Sequence, residues 1–208
     1  MTFDELVQEL FARGADYLDE DTESQARAGR WINQAYREIL NLHAWPFLQA
    51  SLVGTAGAGT VTIPDLRRLL IVSNVDGTDG TQPGSKLDRT TLEDLVRLDE
   101  DVALTGPPDR YYVLGGTQVT AFPLGGTIRA DYFKRVAPMS GTDSPIFDEE
   151  YHDLIVDRAF IKVYKDSDNF EAAQALRQEY DEGVRAMAED YQLESTDATY
   201  LTPSGTDL

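Results

Sequence analysis

Glu149-Glu150-Tyr151-His152 places a carboxylate and an imidazole three residues apart, on one face of any helix that carries them. Two-metal carboxylate sites in helical bundles draw ligands from this spacing. They also need a second Glu-x-x-His and two further glutamates on facing helices. The chain has two histidines, His43 and His152, and a single such motif. The pair therefore reads as an acidic first helical turn, where carboxylates suit the positive end of the helix dipole.

Other chemistry is weaker still. Gly54-Thr-Ala-Gly-Ala-Gly59 is glycine-rich, but it lacks the Gly-Lys-Ser/Thr ending of a phosphate loop and reads as a hairpin tip. No Gly-x-Ser-x-Gly is present to hold a nucleophilic serine on a strained turn. His43 stands at a helix end beside Trp45-Pro46, a place for packing or capping. Trp31, Trp45, Tyr111, Tyr112, Tyr132 and Phe133 could stack on sugars or bases, or simply fill a core. Arg67-Arg68 opens a strand and reads as a solvated or interface pair. With no cysteine in the chain, disulfides and thiolate metal sites are excluded. The residues thus give no catalytic, cofactor-binding or metal site, and no cofactor is expected.

The formal net charge of -19 argues against tight nucleic-acid binding, which depends on Lys and Arg neutralising phosphates. An acidic wall would instead let DNA pass without sticking. The N-terminus lacks the basic and apolar regions of a signal peptide, and no apolar run reaches the roughly 18 residues of a membrane span. A soluble protein made in the cytosol is expected, with no membrane partner.

The elements that would position these residues are legible from periodicity. Thr2 with Glu5 forms a capping-box signature, and Phe3, Leu6, Val7, Leu10 and Phe11 recur at helical spacing up to Gly14. Thr22 with Gln25 signals a second helix, whose Ala28, Trp31, Ile32, Ala35, Ile39 and Leu42 share a face that ends before Pro46. From Phe47 glycine, proline and β-prone runs dominate. Strands are expected at 47–53, 60–63, 67–75, 110–114, 118–122 and 127–135, with Gly115-Gly116 as a hairpin turn and a short helix near 91–98. Residues 138–145 read as a Gly/Ser/Thr/Pro linker. Beyond it, Asp148 is a suitable N-cap for a helix with a wide apolar arc, and a short polar turn at 166–169 leads to a last helix running to Tyr191. The tail from Glu194 is polar and unpatterned.

The expected fold is α+β. N- and C-terminal helices pack as a bundle around an inserted antiparallel β module, with an extended C-terminal tail. The boundaries are 1–46 and 138–192 for the helical body, 47–137 for the β module and 193–208 for the tail.

Several pieces in this order resemble the head-to-tail adaptor (connector) proteins of tailed bacteriophages. They are Arg30-Trp-Ile-Asn-Gln-Ala-Tyr-Arg-Glu-Ile39 with Trp45-Pro-Phe47, Ile63-Pro-Asp-Leu-Arg-Arg-Leu-Leu-Ile71, and Pro108-Asp-Arg-Tyr-Tyr-Val113. Ile128-Arg-Ala-Asp-Tyr-Phe-Lys-Arg135, Phe147-Asp-Glu-Glu-Tyr-His-Asp-Leu-Ile-Val156 and Asp168-Asn-Phe-Glu-Ala-Ala-Gln-Ala-Leu176 complete the set. The resemblance implies a structural virion protein at the head–tail junction, not an enzyme. It implies a self-associated ring, usually dodecameric, beneath the portal protein. That ring would extend the DNA channel and dock a stopper, tail terminator or tail tube.

By analogy with related adaptors, the tail would grip the portal through Tyr200, Leu201 and Leu208. Neighbours in the ring would pack on Tyr151, Ile155, Phe160 and Tyr164, since a closed ring needs two different faces on each subunit. The competing readings are a stopper or tail-terminator ring and, from another class, a carbohydrate-binding or small-molecule enzyme module.

Overall fold

The computed structural model describes residues 1–19, 21–55, 60–76, 82–98 and 104–191. In chain order its elements are α1 (Phe3–Arg13), α2 (Thr22–Leu42), β1 (Gln49–Thr55), β2 (Thr60–Thr62), β3 (Leu66–Asp76), β4 (Gln82–Lys86) and β5 (Asp88–Arg89). There follow α3 (Leu92–Leu98), β6 (Arg110–Leu114), β7 (Gln118–Phe122), β8 (Thr127–Lys134), α4 (Asp153–Asp166) and α5 (Phe170–Asp190). The protein is α+β and divides into a helical unit, Met1–Phe47 with Ala137–Leu208, and a β unit, Leu48–Val136.

In the helical unit, α1 starts on the expected capping box. Thr2 Oγ1 accepts from the Glu5 amide at 3.3 Å, and Glu5 Oε2 accepts from the Thr2 amide at 2.7 Å. Two further first-turn amides, of Phe3 and Asp4, donate to the carbonyls of Asp143 and Gly141. The segment read as a linker is thus strapped down. Asn33 on α2 both donates to the Met139 carbonyl and accepts its amide, and the Met139 side chain is buried. Pro and Gly content flagged this stretch as a connection, but its backbone polar groups found partners on two helices.

The N-cap of α2 is Asp21, one residue before the expected Thr22: its carboxylate accepts the Ser24 amide at 2.6 Å. The helix ends at Leu42. Trp45, fully buried, donates its indole N–H back to the Ile39 carbonyl at 2.8 Å and so satisfies one of the orphan carbonyls of the last turn.

Helix α4 begins later than expected. Asp148 leads into a 3-10 turn at Glu149–Tyr151 and its side chain caps no amide. Instead its carboxylate accepts from the Tyr191 hydroxyl at 2.8 Å, tying the start of α4 to the end of α5. Leu154, Ile155, Val156, Ala159, Phe160, Ile161 and Val163 are all buried, because α4 packs on α1, α2 and α5 together. Gly183 lets α5 come close: a Cβ there would lie 2.5 Å from Leu154 Cδ2.

Two ion-pair groups join the helices around α4. Arg13 of α1 reaches Asp153 at 3.2 Å and Asp157 at 2.7 Å, and Glu38 of α2 receives Arg158 at 2.6 Å and Lys162 at 3.2 Å. Burial pushes the Glu38 carboxyl up. The hydrogen bonds and charges of Arg158 and Lys162 together outweigh that and hold it below its ordinary value.

In the β unit, one sheet has the order β1-β8-β3-β4 and the other β2-β7-β6-β5. Val72, Ile128, Ala130 and Tyr132 of the first share a core with Val61, Val119 and Ala121 of the second. The expected alternation along β8 holds: Ile128, Ala130 and Tyr132 are buried, and Phe133 is buried as the exception. The β6–β7 hairpin turns on Gly115 and Gly116, with φ of 57° and 76°, the left-handed pair that suits strand twist.

Two strands escaped the sequence. β4 contains Pro83 and Gly84 and lies at a sheet edge, where a missing amide is tolerated. β5 is two residues long and pairs parallel to β6, so the module is mixed and not wholly antiparallel. β1 starts at Gln49, after a 3-10 turn at Pro46–Leu48. Of the glycine-rich tip 54–59, residues 56–59 lie outside the described residues.

The α4–α5 turn carries the only described non-glycine residue with positive φ, Asp168 at 58°. The Asn169 amide closes on the Tyr164 carbonyl at 2.8 Å, and Asn169 Oδ1 then accepts the Ala172 amide to start α5. Asp168→Gly should stabilise the fold by about 0.5 kcal/mol, because glycine enters the left-handed region without a Cβ clash. Urea denaturation of the full chain measures this, and a destabilised variant would show that the Asp168 side chain contributes more than its backbone costs.

Candidate assembly surface

The Glu149 and His152 pair does share one place, but that place is filled by the chain itself. The Met1 amino group lies 3.0 Å from Glu149 Oε1 and 2.8 Å from His152 Nδ1. The other ring nitrogen, Nε2, lies 3.0 Å from the Phe147 carbonyl. A neutral imidazole meets both contacts, with Nε2–H donating to Phe147 and Nδ1 accepting from the amine. Among the described residues, no group of three or more His, Cys, Asp or Glu is arranged to hold a metal ion.

Of the six aromatics that could stack on sugars or bases or fill a core, most are inside. Trp45, Tyr112, Tyr132 and Phe133 are buried, and only Trp31 and Tyr111 are half-exposed. Trp31 already carries the Arg27 guanidinium over its ring at 4.9 Å. His43 packs edge-on to Trp45 with ring centres 5.0 Å apart, and burial lowers its pKa below the ordinary histidine value. The surface that a carbohydrate-binding module needs is therefore not assembled by these residues.

Of the four residues expected at subunit contacts, the helical unit uses two for itself. Ile155 is fully buried and Phe160 nearly so, the latter against Tyr17 and Tyr164. The wide apolar arc of α4 is matched by α1, α2 and α5 of the same chain, a possibility that arc width alone does not distinguish from a neighbour's contact. Tyr151 and Tyr164 are half-exposed. The Tyr151 hydroxyl donates to Asp190, which pushes its pKa well above the ordinary tyrosine value. Tyr200, Leu201 and Leu208 lie outside the described residues.

What the sequence reading passed over is the outer edge of α2. It borders a groove of about 790 Å³ that includes Phe3, Gly29, Arg30, Gln34, Arg37 and Pro138. Beside it a second groove runs over the half-exposed Phe3, Val7 and Phe11 of α1. The signal was present: Arg30, Gln34 and Arg37 recur at i, i+4, i+7 on the face opposite the buried Ile32, Ala35 and Ile39.

His152 offers a direct check on the closed Glu149–His152 pair. Burial holds its pKa below the free value of 6.5, despite the raising effect of the Phe147 carbonyl. Between those two pKa values the unfolded chain binds a proton that the folded chain does not. Stability should therefore fall as pH drops below 6.5. His152→Gln should remove that part of the slope in urea midpoints measured across this range; an unchanged slope would mean that another group titrates there.

The chain matches the family described as SU10 adaptor protein over residues 1–203, which spans both units. No curated protein matches it. The chain belongs to the SU10 adaptor protein family, a family of phage head-to-tail adaptors.

Proposed function

We propose that this adaptor is a non-catalytic structural ring, dodecameric by analogy, docked beneath the portal at the head–tail junction. The family match over residues 1–203 carries this reading. In it, the helical unit builds the ring and the next neck or tail component, a stopper, terminator or tail tube, docks on the far side. The net charge of -19, repeated around a channel, would repel the DNA backbone and let the genome slide. The half-exposed Tyr151 and Tyr164 remain available to neighbours in the ring, whereas Ile155 and Phe160 act by shaping α4.

Mixing the full chain with the portal protein of the same phage and imaging by negative-stain electron microscopy tests the reading. Rings seated on portals, and monomeric or weakly associated protein in their absence, are expected. Portal-independent filaments, or a lone monomer with portal present, would count against it.

The tail assignment has its own test. The described helical unit closes at Tyr191, where its hydroxyl meets Asp148. Removal of 194–208, with Tyr200, Leu201 and Leu208, should leave the thermal unfolding midpoint unchanged and abolish portal capture in a pull-down. Undiminished capture would place the portal contact elsewhere.

A further inference from the structure

The helical unit carries two exposed rows of charge with the same spacing and opposite sign. On α2 the row is Arg30, Gln34, Arg37; on α5 it is Glu182, Ala186, Glu189. All six residues are exposed. In both rows the charges stand at i and i+7 with an uncharged residue at i+4, so each pair spans about 10.5 Å along its axis. None of the four charged residues has an ion pair among the described residues. Their neighbours do: Glu38 is taken by Arg158 and Lys162, and Asp181 by Arg177.

An arginine row of this kind is out of keeping with a chain of net charge -19. Two guanidinium groups on the rim of a groove floored by Phe3 and Gly29 call for an occupant with carboxylates at two-turn spacing and a small residue between them. α5 presents that pattern. Within one chain, α2 and α5 each pack on α4 and both rows face solvent.

We propose that the α2 groove of one copy receives the α5 outer face of the next, with Arg30 and Arg37 opposite Glu182 and Glu189. The contact is heterologous, as a closed ring requires. This inference rests on the ring reading above and names the surfaces that would build the ring. With the helices parallel, Gln34 falls opposite Ala186; antiparallel, the two are offset by one residue, about 1.5 Å along the axis.

Two experiments on the full chain test the pairing, with and without the portal protein. In the first, Arg30→Glu with Arg37→Glu, or Glu182→Arg with Glu189→Arg, should each cut ring-bearing portals about tenfold or more. The fourfold exchange should restore them, which also shows that the substituted helices fold. In the second, the absence of native cysteine allows Gln34→Cys with Ala186→Cys to be oxidised cleanly. A ladder of disulfide-linked multiples is expected. Rings that form normally in both reversals and give no ladder would overturn this interface while leaving the ring reading intact. No rings from the unaltered chain would overturn the ring reading, and this interface with it.

Discussion

The helical unit depends on the burial of α4. A fourteen-residue helix with seven buried apolar side chains has almost no face left for water, so three other helices must come to it. Each buried aliphatic contributes roughly 1.5–3 kcal/mol, which makes this helix the largest single apolar commitment in the unit. Because α1 and α2 precede the β unit and α4 and α5 follow it, the chain ends must meet before that burial is complete. Arg13 and Glu38 mark the two joints, each bridging an early helix to α4 with charge-assisted hydrogen bonds.

That constraint explains why the outside of the unit is so uneven. Carboxylates that serve a joint are neutralised locally, as Asp153, Asp157 and Glu38 are. The edges of α2 and α5 that face away from α4 have no such duty, and Arg30, Arg37, Glu182 and Glu189 there have no ion pair among the described residues. A protein that only needed solubility could scatter them; rows of matched spacing suit a surface that is read by another surface.

The polar groups near the α4 start show a similar economy. Met1, Glu149, His152 and the Phe147 carbonyl satisfy one another, and Tyr191 closes on Asp148. The Glu-x-x-His spacing that suggests metal chemistry in one dimension is here a structural clasp, since its partners are an amine and a carbonyl and not further carboxylates. Nearby, Tyr36, Trp45, Phe47, Phe147 and Tyr191 form a chain of tilted, stacked and edge-on ring contacts that joins the end of α2 to the end of α5.

Local signals in the sequence were enough for most elements. The capping box at Thr2, the Gly115-Gly116 turn, the β8 alternation and the turn at 166–169 each depend on residues close in the chain. So does the adaptor resemblance, which reads ordered local pieces. What needed the tertiary structure was every question of who faces whom. Asp148 was a good N-cap by type but was taken by Tyr191, 43 residues away. The 138–145 stretch looked like a linker because its anchors, Asn33 and the first turn of α1, are more than a hundred residues distant. Ile155 and Phe160 carried the pattern of an interface, and only the packing of α1, α2 and α5 made them core. Periodicity reports that a face is apolar; it carries no information about which chain covers it, because burial has the same physics within a subunit and between two.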